Sequence, residues 1–374
     1  MIINQNFYFI DNDKLELRPE SAYRFLSTFD DHNYLYMEIK WGLHKLGECL
    51  AEDDHLNRLI NGDLHLILCN SHEAFHDIVQ QVYQYAVVEL KIPEHKILLL
   101  SESADILTEV KSVADRMGKQ EIKTAWTRMF EWSAHQHVLH YQKGVYHPKL
   151  IDQSFSKAFL NFNRRWRLHR PALVALLYTN NLLDRGHISL APDVDRENWN
   201  VVWNQLINIH TDEIKEVLQS NKDNICGLPP MYLDTTELHI NQAAYDDTTE
   251  YLYRDSYFSV VSETNYYNDK PGRFLSEKVF KPIIMGHPFI IVSRPNSLDS
   301  LRELGYKTFS PYIDESYDTI EDNSERLLAI VKEIKRLSNL TKPELNDFLN
   351  GLRDICEYNY KNILNKDTFI TYLN

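Results

Sequence analysis

The 374-residue chain is 43% hydrophobic, long enough to bury a substantial core and more comfortable as two domains than one. Its 54 acidic residues outnumber 40 basic ones for a formal charge of −14, which argues against nucleic acid as a partner but not against a small nucleotide held by a few side chains. Four scattered cysteines without a C-x-x-C pair disfavour a zinc site or a disulfide scaffold, and with no basic leader and no window of about 18 apolar residues a cytoplasmic protein without a transmembrane segment is expected.

Taken along the chain, apolar runs at 64–69, 96–100, 158–162, 187–190, 257–261 and 288–292 read as strands. Helix-period stretches at 72–90, 170–183, 276–285 and 324–337 lie among them, and strands separated by helices imply βαβ units and a mostly parallel sheet. The expected fold class is therefore α/β, with two Rossmann-like domains facing a cleft. A turn-rich crossing at 141–157 suggests the boundary, giving domains over 1–150 and 151–340. Residues 341–374 read as a helical tail with no further strand, packing back onto the first domain.

Two segments of the second half concentrate chemistry. After the strand at 158–162 a loop carries Arg164, Arg165, Arg167 and Arg170, and Pro171 stands where a helix start tolerates it. Guanidinium forks suit the two phosphates of a nucleoside diphosphate, although a solvated basic loop or a nucleic-acid contact is open on the same residues. After the strand at 257–261 comes Glu263, then Ser276-Glu277-Lys278 at a helix start, then Gly286-His287-Pro288 before the next strand. A helix N-terminus beyond a parallel strand offers free amides to an anion. Lys278 in the first turn opposes the helix dipole, and an anion beside it would supply the reason.

These motifs resemble the nucleotide-binding domain of the alpha-1,3-fucosyltransferase family: Asn161-Phe162-Asn163 with Arg170 at a helix start, Phe258 through Glu263-Thr264-Asn265, and Phe274-Leu275-Ser276-Glu277-Lys278. The resemblance covers roughly residues 158–310. It implies a GT-B glycosyltransferase whose C-terminal domain holds a nucleotide sugar as co-substrate, with no metal or other cofactor. By the same resemblance Glu277 contacts the ribose, Lys278 reaches the phosphates, Arg170 contacts the diphosphate with Arg167 next, and Glu263 is the loop glutamate. Asn161 and Asn265 belong to the same motifs. Arg273 and Lys281 are additional candidates for phosphate contacts. The loop from Tyr266 to Arg273 is longer than in the family, and Gly286-His287-Pro288 is not its usual turn, so the donor stays open between a GDP-fucose-like nucleotide and others.

An inverting transfer needs a base for the acceptor hydroxyl, glycan or other. In the family it lies in the N-terminal domain after a strand, which points to Glu102. A helix-capping role for Glu102 is equally compatible with Ser101 to Asp105, and His72, Glu73 and Glu131 are competing bases. Asp193-Val194-Asp195 has the form of a metal-binding triplet, but such triplets arise by chance in an acidic chain and no metal is expected. The tryptophans at 126–132 fit either an acceptor groove or a core helix face. Two other functions compete: transfer of a sugar to modified DNA bases, and non-catalytic nucleotide binding.

Overall fold

A computed structural model describes residues 8–11, 14–17, 33–39, 43, 46–51, 54–70, 77–141, 155–163, 167–190, 199–228, 231, 233, 249–267, 272–366 and 370–373. The strands are β1 (Tyr8–Asp11), β2 (Lys14–Leu17), β3 (Asn33–Glu38), β4 (Leu64–Asn70), β5 (Ile97–Ser101), β6 (Lys123–Thr127), β7 (Lys157–Asn161), β8 (Gly186–Ile188), β9 (Ser256–Ser262), β10 (Phe289–Val292) and β11 (Ile370–Leu373). The helices are α1 (Leu46–Leu50), α2 (His55–Asn61), α3 (Ile78–Gln81), α4 (Ile106–Met117), α5 (Met129–Tyr141), α6 (His169–Thr179), α7 (Trp199–Asn208), α8 (Asp212–Cys226), α9 (Glu250–Arg254), α10 (Glu277–Ile284), α11 (Ser297–Glu303), α12 (Asn323–Ser338) and α13 (Lys342–Leu364). The chain forms two units. One comprises Met1–Trp132, Lys270–Phe274 and Asp367–Asn374, and the other Ser133–Asp269 and Leu275–Lys366.

The first unit holds a seven-stranded sheet in the order β11-β6-β5-β4-β3-β1-β2. Its inner pairings are parallel, and the two edge pairings, β1 with β2 and β11 with β6, are antiparallel. Every residue of β5 is buried, and so is all of β4 except His65. Strands covered on both faces read as unbroken apolar runs, which is why sequence alone located both. α4 places Ile106, Val110, Val113 and Ala114 at helical spacing on its buried side and ends at Gly118, whose φ of 63° is the left-handed conformation a helix C-cap favours. The helix expected over 72–90 is described from 77 onward. It makes one α turn and then widens into a π-helix over Val82–Glu89.

One expectation fails here. The chain does not end in helix alone: Ile370–Leu373 forms β11, with Ile370 opposite Thr127 on β6. Ile370, Thr371 and Tyr372 are β-branched or aromatic, enough for a four-residue edge strand bonded on one side, and a run that short has no visible period beside a 23-residue helix.

The second unit is built on four parallel strands in the order β10-β9-β7-β8. α12 buries Leu327, Ile330, Val331, Ile334 and Leu337, and Asp322 caps its start by accepting from the amides of Ser324 and Glu325, both at 2.9 Å. The turn after α10 uses Gly286 at φ 60° and buries His287. Ser256 O accepts a hydrogen bond from His287 Nε2 at 2.7 Å, and Nδ1 lies 2.8 Å from Ser259 Oγ. Both ring nitrogens therefore face the start of β9, and burial holds the imidazole neutral, its pKa lowered to about 4.

The sign of that shift sets a pH dependence. Between about 6.5 and 4 the unfolded chain takes up a proton at His287 that the native state refuses, so stability falls as pH drops through this window. Urea unfolding at pH 7 and pH 5 should show the wild type losing roughly 2 kcal/mol more over that interval than His287→Gln. Equal losses in the two proteins would remove His287 from the linkage.

Candidate functional site

In the second unit β7 comes first in sequence, β8 joins one side of it and β9 the other, so the strand order reverses between β7 and β9. Ligands of open α/β sheets bind beyond the carboxyl ends of strands at such a reversal. The parallel strands of the first unit run in sequence order without one. Both chemistry-bearing segments of the sequence leave these two strands.

Side chains tie the two strand ends together. Asn161, at the end of β7, donates from Nδ2 to Val260 O at 2.7 Å and to Ser262 Oγ at 3.1 Å. Arg170, in the first turn of α6, donates from Nη2 to Ser262 O at 3.0 Å. Asn161 is fully buried and Arg170 is 3% exposed, so both brace β9 and the loop that follows it. Arg167 is half-buried, while Arg164 and Arg165 lie outside the described residues.

The start of α10 is organised around Glu263, whose residue is fully buried. Its Oε1 accepts from Ser276 N at 3.0 Å, and its Oε2 accepts from Ser276 Oγ at 2.6 Å and from Thr264 N at 3.2 Å. Burial raises the Glu263 pKa, while Lys278 and Ser276 pull it back. Ser276 is also the N-cap of α10, its Oγ accepting from Lys278 N at 3.3 Å. The Lys278 ammonium donates to Ser276 Oγ at 3.0 Å, to Glu277 Oε1 at 2.8 Å and, longer, to Thr264 Oγ1 at 3.4 Å. Burial acts to raise the Glu277 pKa, but Lys278 together with the Glu277 backbone amide and Ser276 outweighs it, and the carboxyl is lowered. Lys278 and Glu277 keep side-chain exposures of 28% and 29%, so the ion pair is in reach of a ligand. One turn on, Lys281 Nζ lies over the Phe162 ring, 5.2 Å from its centroid.

Beyond Glu263 the loop is pinned by Ser293, His169 and Arg326, none of which a local sequence signal marks. Asn265 is buried and its carbonyl accepts from Ser293 Oγ at 3.2 Å. Tyr266 stacks on His169 with ring centroids 5.2 Å apart, and Tyr267 meets both His169 and His210 edge-on. Arg326, 1% exposed, donates to the carbonyls of Tyr266, Ser293, Ile320 and Glu321 and to Asn323 Oδ1, and its guanidinium sits 4.5 Å from the Tyr266 ring centroid. An arginine inside an ordinary amphipathic helix carries no local signal of such a role. Its partners are 3 to 60 residues away.

The remaining candidates lie in the first unit. Glu102, at the carboxyl end of β5, is 5% exposed and accepts hydrogen bonds from the amides of Met129 and Phe130 at the start of α5. It therefore caps α5, whereas the capping alternative raised by Ser101 to Asp105 concerned the helix immediately following. Burial pushes its pKa well up, and the Met129 amide opposes the shift. Glu131 is buried and paired with Arg128. Arg273 forms an ion pair with Asp105, Nη2 to Oδ1 at 2.9 Å, and its amide donates to Asp105 Oδ2 at 2.8 Å. Gly272 before it has φ 84°, and a Cβ there would lie 2.2 Å from Ser103 Oγ, so this docking needs glycine. His72, Glu73, Asp193 and Asp195 fall outside the described residues. Among the described residues no group of three or more His, Cys, Asp or Glu could hold a metal ion, and no helix is long and apolar enough to cross a membrane.

No protein-family model matches the chain, and no curated protein sequence matches it. Solved structures similar to it include a TarM mutant from S. aureus determined with fondaparinux, alpha-GlcNAc-glycerol and UDP, at 10% identity and a TM-score of 0.39 over 91% of this chain. This chain spans 58% of the length of that one. The alpha,alpha-trehalose-phosphate synthase (UDP-forming) from Burkholderia vietnamiensis aligns at 10% identity and a TM-score of 0.42, over 92% of this chain and 73% of that one. The N-terminal domain of trehalose-6-phosphate phosphatase from Candida albicans aligns at 11% identity and a TM-score of 0.43, over 91% and 70%.

The Arg326 cluster makes a direct stability test. Lysine keeps the charge but has three donors for these five acceptors and no planar face for Tyr266. Arg326→Lys should lower the unfolding free energy by about 2 to 4 kcal/mol in urea titration, the range for a buried network left partly unpaired. A loss below about 0.5 kcal/mol, typical of surface substitutions, would show that the loop does not depend on it.

Proposed function

We propose that the chain is a glycosyltransferase of GT-B type that moves a sugar from a nucleotide-sugar donor to a glycan or other hydroxyl acceptor, with inversion and without a metal. One observation carries the reading: the Ser276-capped start of α10 presents the Lys278 ammonium and the Glu277 carboxylate beyond β9, at the strand reversal of a parallel sheet. Positive charge and helix amides placed there suit a diphosphate leaving group, on which negative charge grows in the transition state. Glu277, held ionised, suits a ribose hydroxyl, and Arg167 adds charge on the β7 side. Arg170 serves by fixing the carbonyls of Ser262 and Glu263. The resemblance to the fucosyltransferases makes a GDP-fucose-like donor the first to test.

Glu102 is the assigned base. A raised pKa suits a carboxylate that must take a proton from the acceptor oxygen as that oxygen attacks the anomeric carbon and the sugar–phosphate bond breaks. Glutamine at this position keeps an oxygen for the Met129 amide while losing the basic one, so the substitution separates capping from catalysis.

Lys278→Ala should weaken nucleoside-diphosphate binding by about 1.5 to 3 kcal/mol in calorimetry, the span for hydrogen bonds to charged groups, and unchanged affinity would end the site assignment. Glu102→Gln should bind donor normally while turnover drops by roughly 10² to 10⁴, the span of general base catalysis. Full turnover would place the base elsewhere.

A further inference from the structure

Buried polar atoms near the strand reversal that have no hydrogen-bond partner among the described residues include Asn163 Oδ1, His169 Nε2 and Asn265 Nδ2. Their residues are 1%, 1% and 4% exposed. Buried polar groups are nearly always satisfied, so orphans grouped on the two loops of a ligand-binding crevice point to atoms a ligand supplies.

Main-chain carbonyls fix the polarity of two of them. Val260 O can only accept, so the Asn161 amide turns its nitrogen there and its oxygen toward Asn163, which donates to it. Asn163 is left with a bare carbonyl oxygen. At His169 the ring donates to Glu263 O, and because Nε2 is the nitrogen without a partner, Nδ1 carries the proton. Nε2 is then a bare acceptor. Around this ring stand Arg167 and Arg170 from its own segment, Lys278 from α10, and the Tyr266 and Tyr267 rings from the loop after β9, with His210 beyond Tyr267. Burial foremost, and then the cations, hold the imidazole neutral.

An anion alone cannot satisfy such a site. Phosphate oxygens answer Lys278 and Arg167, but a bare imidazole nitrogen and a bare amide oxygen need hydrogen-bond donors, which the fully ionised diphosphate of a nucleotide sugar lacks and its nucleoside carries on the ribose hydroxyls and on base imino or amino N–H groups. We propose that His169 Nε2 is a specificity-determining acceptor for an N–H or O–H of the nucleoside part of the donor, with Asn163 Oδ1 as a second acceptor on the same loop. The proposal rests on the nucleotide-sugar reading and adds acceptors for the nucleoside on the β7 side to the one that Glu277 offers the ribose.

Calorimetric titration of the full chain with GDP, UDP, ADP, CDP, their 2′- and 3′-deoxy forms and inorganic diphosphate tests it, at pH 7.5 in two buffers of different ionisation enthalpy. The same series is run on His169→Phe, which keeps a ring against Tyr266. The expected result is that the best nucleoside diphosphate binds at least about tenfold tighter than diphosphate. Losing one donor group, base imino or ribose hydroxyl as the arms show, should then weaken wild-type binding about tenfold and the variant less than about twofold. No proton should be taken up on binding. Equal ligand ranking in both proteins would overturn the proposal, and so would uptake of about one proton, which means the imidazole donates to phosphate. If His169→Phe does not fold, the wild-type ligand series and proton count decide alone. Failure of every nucleoside diphosphate to bind the wild type would instead bring down the nucleotide-sugar reading, and this proposal with it.

Discussion

A carboxylate fully removed from water governs the second unit's site. An isolated buried charge would be untenable, and Glu263 is held by the Ser276 amide and hydroxyl, by the Thr264 amide and by the field of Lys278. The end of β9 and the beginning of α10 are thereby fixed to each other, although 13 residues of chain separate Glu263 from Ser276. It also answers why a lysine is tolerated in the first turn of a helix. Lys278 faces two carboxylates, directly at Glu277 and through the Ser276 hydroxyl at Glu263, which outweigh the dipole. On the proposed function, a diphosphate would meet an ammonium already oriented there, and its affinity would be what remains after Glu277 gives up part of that interaction.

Backing this arrangement is a second buried charge of opposite sign. Arg326 has main-chain carbonyls and one amide oxygen as its hydrogen-bond partners, and burial lowers its pKa while the nearby Tyr266, Glu321, Asp318 and Asp322 oppose the shift. Because its acceptors come from the loop after β9, from the segment after β10 and from the approach to α12, one side chain sets the spacing of three segments around Tyr266. The ring it covers is the one His169 stacks on. Charge, ring and histidine thus form one continuous stack in the second unit.

The sequence made the scaffold of this site legible and its interior less so. Parallel strands buried on both faces leave unbroken apolar runs, so β4, β5, β7, β9 and β10 could be placed within about two residues. Ser276 before Glu277-Lys278 is a local capping signal, and it marks the start of α10. The arginines were different. Spacing identifies a basic cluster but not where each guanidinium points, and Arg170 turns inward to the carbonyls of β9 while Arg273 pairs with Asp105, 168 residues away. His169 beside them looked like one histidine among 16, because its significance comes from the carbonyl of Glu263 and the ring of Tyr266, neither near it in the chain. β11 was hidden by brevity.

The backbone of β9 and the residue after it set the hydrogen-bond polarity of the strand-reversal crevice. Val260 O orients Asn161, which orients Asn163, and Glu263 O selects the protonated nitrogen of His169. Neither carbonyl can donate, so these side chains have no freedom to swap donor for acceptor without breaking a bond at the strand end. A pattern dictated this way is rigid in a sense that side-chain networks alone are not, since exchange of a surface residue cannot invert it. The cationic half of the site differs, resting on side chains whose balance of charge can be tuned by single substitutions. On the proposed reading, anion affinity and nucleoside choice would therefore be separable, the first adjustable at Lys278 and Arg167, the second tied to the course of β9.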